Sequence, residues 1–498
     1  MTPNASKGVK PQTANCKPTM NPSFKPFFGG AFDPPSSLLH SQRRSFLRLG
    51  AGSAFSAISA ISGLGLSAGS SAWAAELASL SGASALDGGR LVLVFLRGAC
   101  DGLSVLVPYA DPNYRSLRPN IAIAAPDASA ATALRLDATF ALHPALGLLH
   151  PLWQQGVLAF VPAAGLPKPN RSHFDAQYEM EIAQSGKTSR APGWLNQTAS
   201  LAPDATELAL ALGVGEANPA ILGGPASVRL IPRGQAAERV GVLGNERARQ
   251  ALLDLYAGDD VLAQAFRQGA ASRQQSAQEL MSQKANPLNP AMAPEAALAS
   301  RRLDRDGTPA SAQAQAAQMA AASNGAPDPV GLTLDAQHLG TLMRNNRRLR
   351  LGFLSAGGWD THANQGAATG QLANRLGDLA RGLAQLRQDF SEPGDVIVVM
   401  SEFGRTSAEN GTRGTDHGFG NAMWLIGNRV AGGRWHGEWT GLARGNLNEG
   451  RDLPAHHDYR AVLAQVLRGS FGLSDRALAT VLPQTSWDVR LDGLLKKA

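Results

Sequence analysis

Two glycine-flanked loops each bring a carboxylate and an imidazole together. The first is Gly357-Gly358-Trp359-Asp360-Thr361-His362 and the second is Gly414-Thr415-Asp416-His417-Gly418. In extended backbone, residues two apart project from one face, so Asp360 and His362 form a workable pair of metal ligands. Asp416 and His417 form a second pair. Three further clusters carry polar chemistry: Arg97-Gly98-Ala99-Cys100-Asp101-Gly102, Ser401-Glu402-Phe403-Gly404-Arg405-Thr406 and Asn170-Arg171-Ser172-His173-Phe174-Asp175. In the last, Ser172 is placed as the N-cap of a helix over Ala176–Gln184, with Asp175 three residues on. A helix N-terminus also holds an oxyanion or phosphoryl group, which Arg171 and His173 could help to bind.

Singly, each cluster reads as a hydrogen-bonded loop. Together they point to one site, because each lies next to an apolar run with the character of a buried strand. The runs are Leu91–Leu96, Val157–Pro162, Leu208–Gly213, Leu351–Leu354, Val396–Met400 and Met423–Ile426. Most are continuous rather than alternating, as in a sheet covered on both faces. Leu372, Leu376, Leu379, Leu383 and Leu386 recur at helical spacing between two of them. Strand, helix, strand in this order predicts an α/β fold, a doubly wound, mostly parallel sheet sandwiched by helices. Ligands of such sheets bind beyond the carboxyl ends of the strands. Residues 245–283 read as helices, and the Ala-, Pro- and Gln-rich stretch 284–330 as a lid or surface insertion. Asp458 reads as a helix N-cap and His456 and His457 as loop residues; His143, His150, His338 and His436 have no patterned neighbours.

Residues 41–75 set the compartment. Ser41-Gln42-Arg43-Arg44-Ser45-Phe46-Leu47-Arg48 nearly matches a twin-arginine export signal, and an uncharged Ala/Gly/Ser-rich stretch follows, ending in Ala72-Trp73-Ala74. This predicts a leader over 1–74, cleaved after export of the folded chain by the twin-arginine translocase, and a single domain over 75–498 with an insertion at about 245–330. The expected location is the periplasm or the exterior, with no membrane span after cleavage. The chain's formal charge is +7, but 1–74 hold seven basic side chains and one acid, leaving 39 basic against 38 acidic. The remaining chain is nearly neutral, which argues against nucleic acid as a partner. Cys100 is then the sole cysteine, so no internal disulfide forms. Gly98-Ala-Cys100-Asp-Gly102 also fits a nucleophile elbow with Cys for Ser, but it follows the first strand of the expected domain, whereas an elbow sits mid-sheet.

In order, these blocks resemble the exported bacterial DUF1501 family, within the alkaline phosphatase-like superfamily. Leu91 to Gly102, Gly357 to His362, Ser401 to Thr406 and the Thr415-Asp-His-Gly-Phe-Gly-Asn421 stretch carry the resemblance. It implies a metal-dependent hydrolase of phosphate or sulfate esters, using one or two divalent ions, zinc first and calcium or manganese as alternatives. It implies Asp101, Asp360, His362, Glu402 and His417 as metal ligands, Ser172 as nucleophile, and Arg171 or Arg405 as stabilisers of the transferred group. The superfamily's Asp-His pair is Glu402-Phe403 here. Phe403 cannot bind a metal, so Asp416 is the substitute ligand, or the chain is a non-catalytic binding or assembly protein on the same fold.

Overall fold

The computed structural model describes residues 86, 88–186, 191–285 and 310–497. All of them belong to the second of the chain's two units, Leu77–Ala498. The twin-arginine motif and the Ala72-Trp73-Ala74 site lie outside the described residues. Among the described residues, no helix is long and apolar enough to cross a membrane.

The described residues form twelve strands in chain order: β1 (Leu91–Leu96), β2 (Leu106–Val107), β3 (Leu134–Arg135), β4 (Ala141–Leu142), β5 (Leu158–Gly165), β6 (Ala211–Val214), β7 (Val228–Ile231), β8 (Leu351–Ala356), β9 (Val396–Ser401), β10 (Asn421–Gly427), β11 (Arg434–Trp435) and β12 (His457–Asp458). The main sheet runs β11-β5-β10-β9-β1-β8-β6-β7, with β12 on the edge of β5; β2, β4 and β3 form a small separate sheet. Pairing is parallel from β9 through β1 and β8 to β6 and β7, and antiparallel on both sides of β10. The sheet is mostly parallel, as expected, with one reversed strand, β10.

Strand β1 shows why its sequence is apolar throughout. Leu91, Leu93 and Phe95 enter one core cluster, and Val92, Val94 and Leu96 enter the other. Alternate side chains leave opposite faces of a strand, so a strand buried on both sides has no polar face. Each such side chain stabilises the fold by about 1.5–3 kcal/mol relative to exposure. Helices cover both faces. On one side lie α1 (His173–Ile182) and, later in the chain, α4 (Tyr459–Phe471); on the other lie α2 (Leu332–Asn345) and α3 (Gln371–Asp389). The predicted leucine series is the buried stripe of α3. Asp458 caps α4, as expected.

The stretch assigned to a lid or insertion is more ordered in its described part. Residues 310–323 form a helix. Its end reaches the polar loops: Ser323 Oγ accepts from the Gly358 amide, and the Ala322 carbonyl accepts from Gln177.

This topology concentrates the loops. β1, β5, β8 and β9 point the same way, so the segments after Leu96, Gly165, Ala356 and Ser401 emerge at one edge. β10 is reversed, so the segment entering it, 415–420, arrives at that edge too.

Candidate metal centre

Three histidines and one aspartate meet there. Asp360, after β8, is 2 % exposed. Its Oδ1 lies 2.9 Å from His362 Nε2, 3.2 Å from His417 Nε2 and 3.4 Å from His173 Nε2. His417 Nε2 is 3.0 Å from Nε2 of His173 and 3.0 Å from that of His362. Donors on one tetrahedral zinc, with bonds of about 2.0 Å, stand about 3.3 Å apart. His173, Asp360 and His417 form the mutually close set; His362 joins it through His417 and Asp360.

The far side of each ring explains this convergence. Nδ1 of His173 is 2.7 Å from Glu402 Oε1, that of His417 is 2.9 Å from the Arg171 carbonyl, and that of His362 is 3.1 Å from Asp416 Oδ1. Each of these oxygens accepts, so the hydrogen-bond network assigns the proton to Nδ1 in all three neutral rings. Three Nε2 lone pairs then face one another and a carboxylate. Metal-binding histidines are anchored in this way, by a carboxylate or carbonyl on the remaining ring nitrogen. Asp360 Oδ2 is buried with no hydrogen-bond partner, and an orphaned buried carboxylate oxygen calls for a cation or water.

Without a metal, protons must relieve this crowding. Burial opposes charge on His173, but hydrogen bonds to Asp360 and Glu402 outweigh it and raise its pKa to about 9. Burial likewise opposes ionisation of Asp360, yet hydrogen bonds from the three histidines and the charge of Arg405 hold its carboxyl far below the usual range. Glu402 is buried and shifted down, its desolvation outweighed chiefly by His173.

The residues implied by the sequence divide accordingly. Asp360, His362 and His417 come together. Glu402 stands one layer out: its Oε1 accepts from the Gly98 amide, Gln177 and His173, so it orients a ligand. Asp416 is exposed and orients His362. Asp101 is elsewhere, in a bidentate pair with Arg118 at 2.6 and 3.0 Å. Arg405 is buried and donates to the carbonyls of Gly98, Ala99, Trp359 and Thr415 and to Asp360 Oδ1 at 2.6 Å, so it fixes Asp360 from within the fold. Ser172 is the expected N-cap, but its helix begins at His173 rather than Ala176, and its Oγ accepts from the Asp175 amide. Arg171 is about one-third exposed and pairs with Glu449 and, at 3.5 Å, with the buried Asp452. Cys100 is 2 % exposed, and burial pushes its thiol well above the usual range, which removes the elbow reading.

Sequence reasoning did not assign His173 as a ligand. Its signal was an imidazole in the first turn of a capped helix, beside a motif already singled out. Phe403 packs against both His173 and His417, with ring centroids 4.9 and 5.1 Å away. Close loop packing requires glycine in two places. Gly98 has φ 112°, and a Cβ there would lie 3.0 Å from the Asp360 nitrogen; at Gly414 it would lie 2.3 Å from the His362 carbonyl.

A family model described as a protein of unknown function, DUF1501, matches residues 161–483. No curated protein matches the chain.

Proposed function

The chain belongs to the DUF1501 family, whose model spans well over half of it, and from that premise we propose an exported, metal-dependent hydrolase of phosphate or sulfate esters on an alkaline phosphatase-like fold. The observation that carries this reading is the convergence of His173, His362 and His417 Nε2 on Asp360, with every Nδ1 anchored by an acceptor. The donor set is imidazole and carboxylate without thiolate, which suits zinc and, among alternatives, manganese. His173, Asp360 and His417 would hold the ion, with His362 beside them. Such an ion would polarise an ester oxygen and lower the pKa of bound water.

The chain's own residues supply the rest. Arg405 and Glu402 keep Asp360 and His173 in place. Arg171, about one-third exposed and paired with Glu449 and with the buried Asp452, would have to leave those partners to meet an anionic group. Ser172 directly precedes a ligand and carries the candidate nucleophilic hydroxyl. The proposal is for one ion, because Phe403, which packs against the rings of His173 and His417, stands where a second ion would need a ligand. That same ring favours a second reading, a binding or assembly protein that retains metal without turnover. The test is turnover of p-nitrophenyl phosphate, bis-p-nitrophenyl phosphate and p-nitrophenyl sulfate by metal-loaded protein. Activity lost in His417→Ala supports the hydrolase; bound metal with no turnover of any ester supports the second reading.

A further inference from the structure

Asp101 and Arg118 are buried, charged and outside the ligand cluster, and the amide that joins them to it identifies a further role. Gln365 is fully buried. Its Nε2 donates to Asp101 Oδ2 at 2.7 Å. Its Oε1 accepts from Thr361 Oγ1 at 2.7 Å and from Thr415 Oγ1 at 2.9 Å. Thr361 lies between Asp360 and His362, and Thr415 lies two residues before His417. One side-chain amide thus grips both ligand-bearing loops.

The loops also touch through their main chains, from Asn364 N to the Thr412 carbonyl, Gln365 N to the Arg413 carbonyl and Thr415 N to the Thr361 carbonyl. Those bonds hold the loops side by side. The amide adds a fixed point beneath them, because Asp101 is itself clamped. Arg118 binds both its oxygens and donates onward to the Ser407 and Thr406 carbonyls, in the segment that follows Glu402 and Arg405. Three ligand-supporting loops therefore share one buried anchor. Every member is 0–6 % exposed, and in such surroundings a satisfied network holds geometry tightly while a broken one is costly.

We propose that Gln365, anchored by Asp101 and Arg118, is a positioning residue that sets the spacing of the Asp360–His362 and His417 loops and thereby the affinity of the metal centre. This rests on the metal-centre reading above. Partners that orient metal ligands typically change affinity 10- to 100-fold when removed.

The test is the zinc affinity of the full chain, measured by competition with a chromophoric chelator, beside thermal melts of the metal-free protein. Gln365→Met and the pair Thr361→Val/Thr415→Val are expected to bind zinc 10- to 100-fold more weakly. The pair Thr361→Ser/Thr415→Ser, which keeps both hydroxyls, is expected to remain within about threefold of the unaltered protein, by retention of the same bonds. A purely structural role would lower the melting temperature and leave the affinity of folded protein unchanged. If Gln365→Met does not fold, the Val pair against the Ser pair decides the matter. Equal affinity in the Val pair and the Ser pair overturns the positioning role alone. Failure of the unaltered protein to bind zinc, manganese or calcium overturns the metal centre and this role together.

Discussion

Asp101 and Asp360 occupy equivalent places, each just beyond the end of one of two adjacent parallel strands, β1 and β8, and both are almost wholly buried. Their surroundings differ. Asp101 is closed: Arg118 takes both oxygens, and Ser104 and Gln365 add two more donors. Asp360 is open: Oδ1 faces three imidazoles and Arg405, and Oδ2 has no hydrogen-bond partner. Position in the fold makes both look like ligands. Hydrogen-bond satisfaction separates the anchor from the site.

The largest expected effects come from breaking that contrast. Asp360→Asn should weaken metal binding by at least ~100-fold, beyond the loss seen when only a supporting partner is removed. Asp101→Asn should instead destabilise the fold by about 3–5 kcal/mol, because it strands the Arg118 charge in the interior. Chelator competition and denaturant titration on both variants would measure the two effects, and equal loss of metal in both would erase the distinction.

The neighbours Ser172 and His173 give the next contrast. His173→Ala should abolish stoichiometric zinc. Ser172→Ala should retain it and cost about 1 kcal/mol of stability, the usual price of a lost N-cap. Retained zinc in His173→Ala would exclude that residue as a ligand.

How much was legible beforehand follows the same line. β1, β8 and β9 could be read to within two residues, because continuous apolar runs have few alternatives inside a two-faced sheet. The strand expected at Leu208–Gly213 lies at Ala211–Val214, since apolar content continues past the residues that pair. Asp360, His362 and His417 were visible through glycine-bounded loops. From sequence Asp101 reads as a ligand, because its partner Arg118 lies 17 residues away, in a segment with no pattern of its own. The role of Glu402 was displaced outward by one layer, since only packing shows that His173 stands between it and the cluster.

Two buried histidines sharpen the contrast through pH. Burial lowers His143 to about 4, while hydrogen bonds to Asp360 and Glu402, against burial, raise His173 to about 9. The unfolded value is about 6.5 for both. Between pH 6.5 and 4 the unfolded chain binds the His143 proton and the folded chain does not, so stability falls as pH falls. Between 6.5 and 9 the folded metal-free chain holds the His173 proton more tightly, so its contribution is full below 6.5 and lost as pH rises through 9. Metal-free protein should therefore melt earlier on the alkaline side, and zinc, which replaces that proton, should flatten this limb. Melting curves from pH 4 to 9.5 with and without zinc would show it; an identical alkaline limb in both would contradict proton–metal competition at His173.

The smallest effect is expected at the surface. Arg171→Ala breaks the pair with exposed Glu449 and a 3.5 Å contact to buried Asp452, which keeps Arg451 at 2.9 Å; it should cost about 1 kcal/mol and leave zinc content unchanged.

The most direct test is the metal content of purified protein by mass spectrometry, beside an Asp360→Ala/His417→Ala variant. About one equivalent of zinc, manganese or calcium, absent from the variant, is the predicted result. No retained metal, and no uptake when each of the three is added, would contradict a metal centre at Asp360 and leave the histidine cluster as a proton-bound feature of the fold.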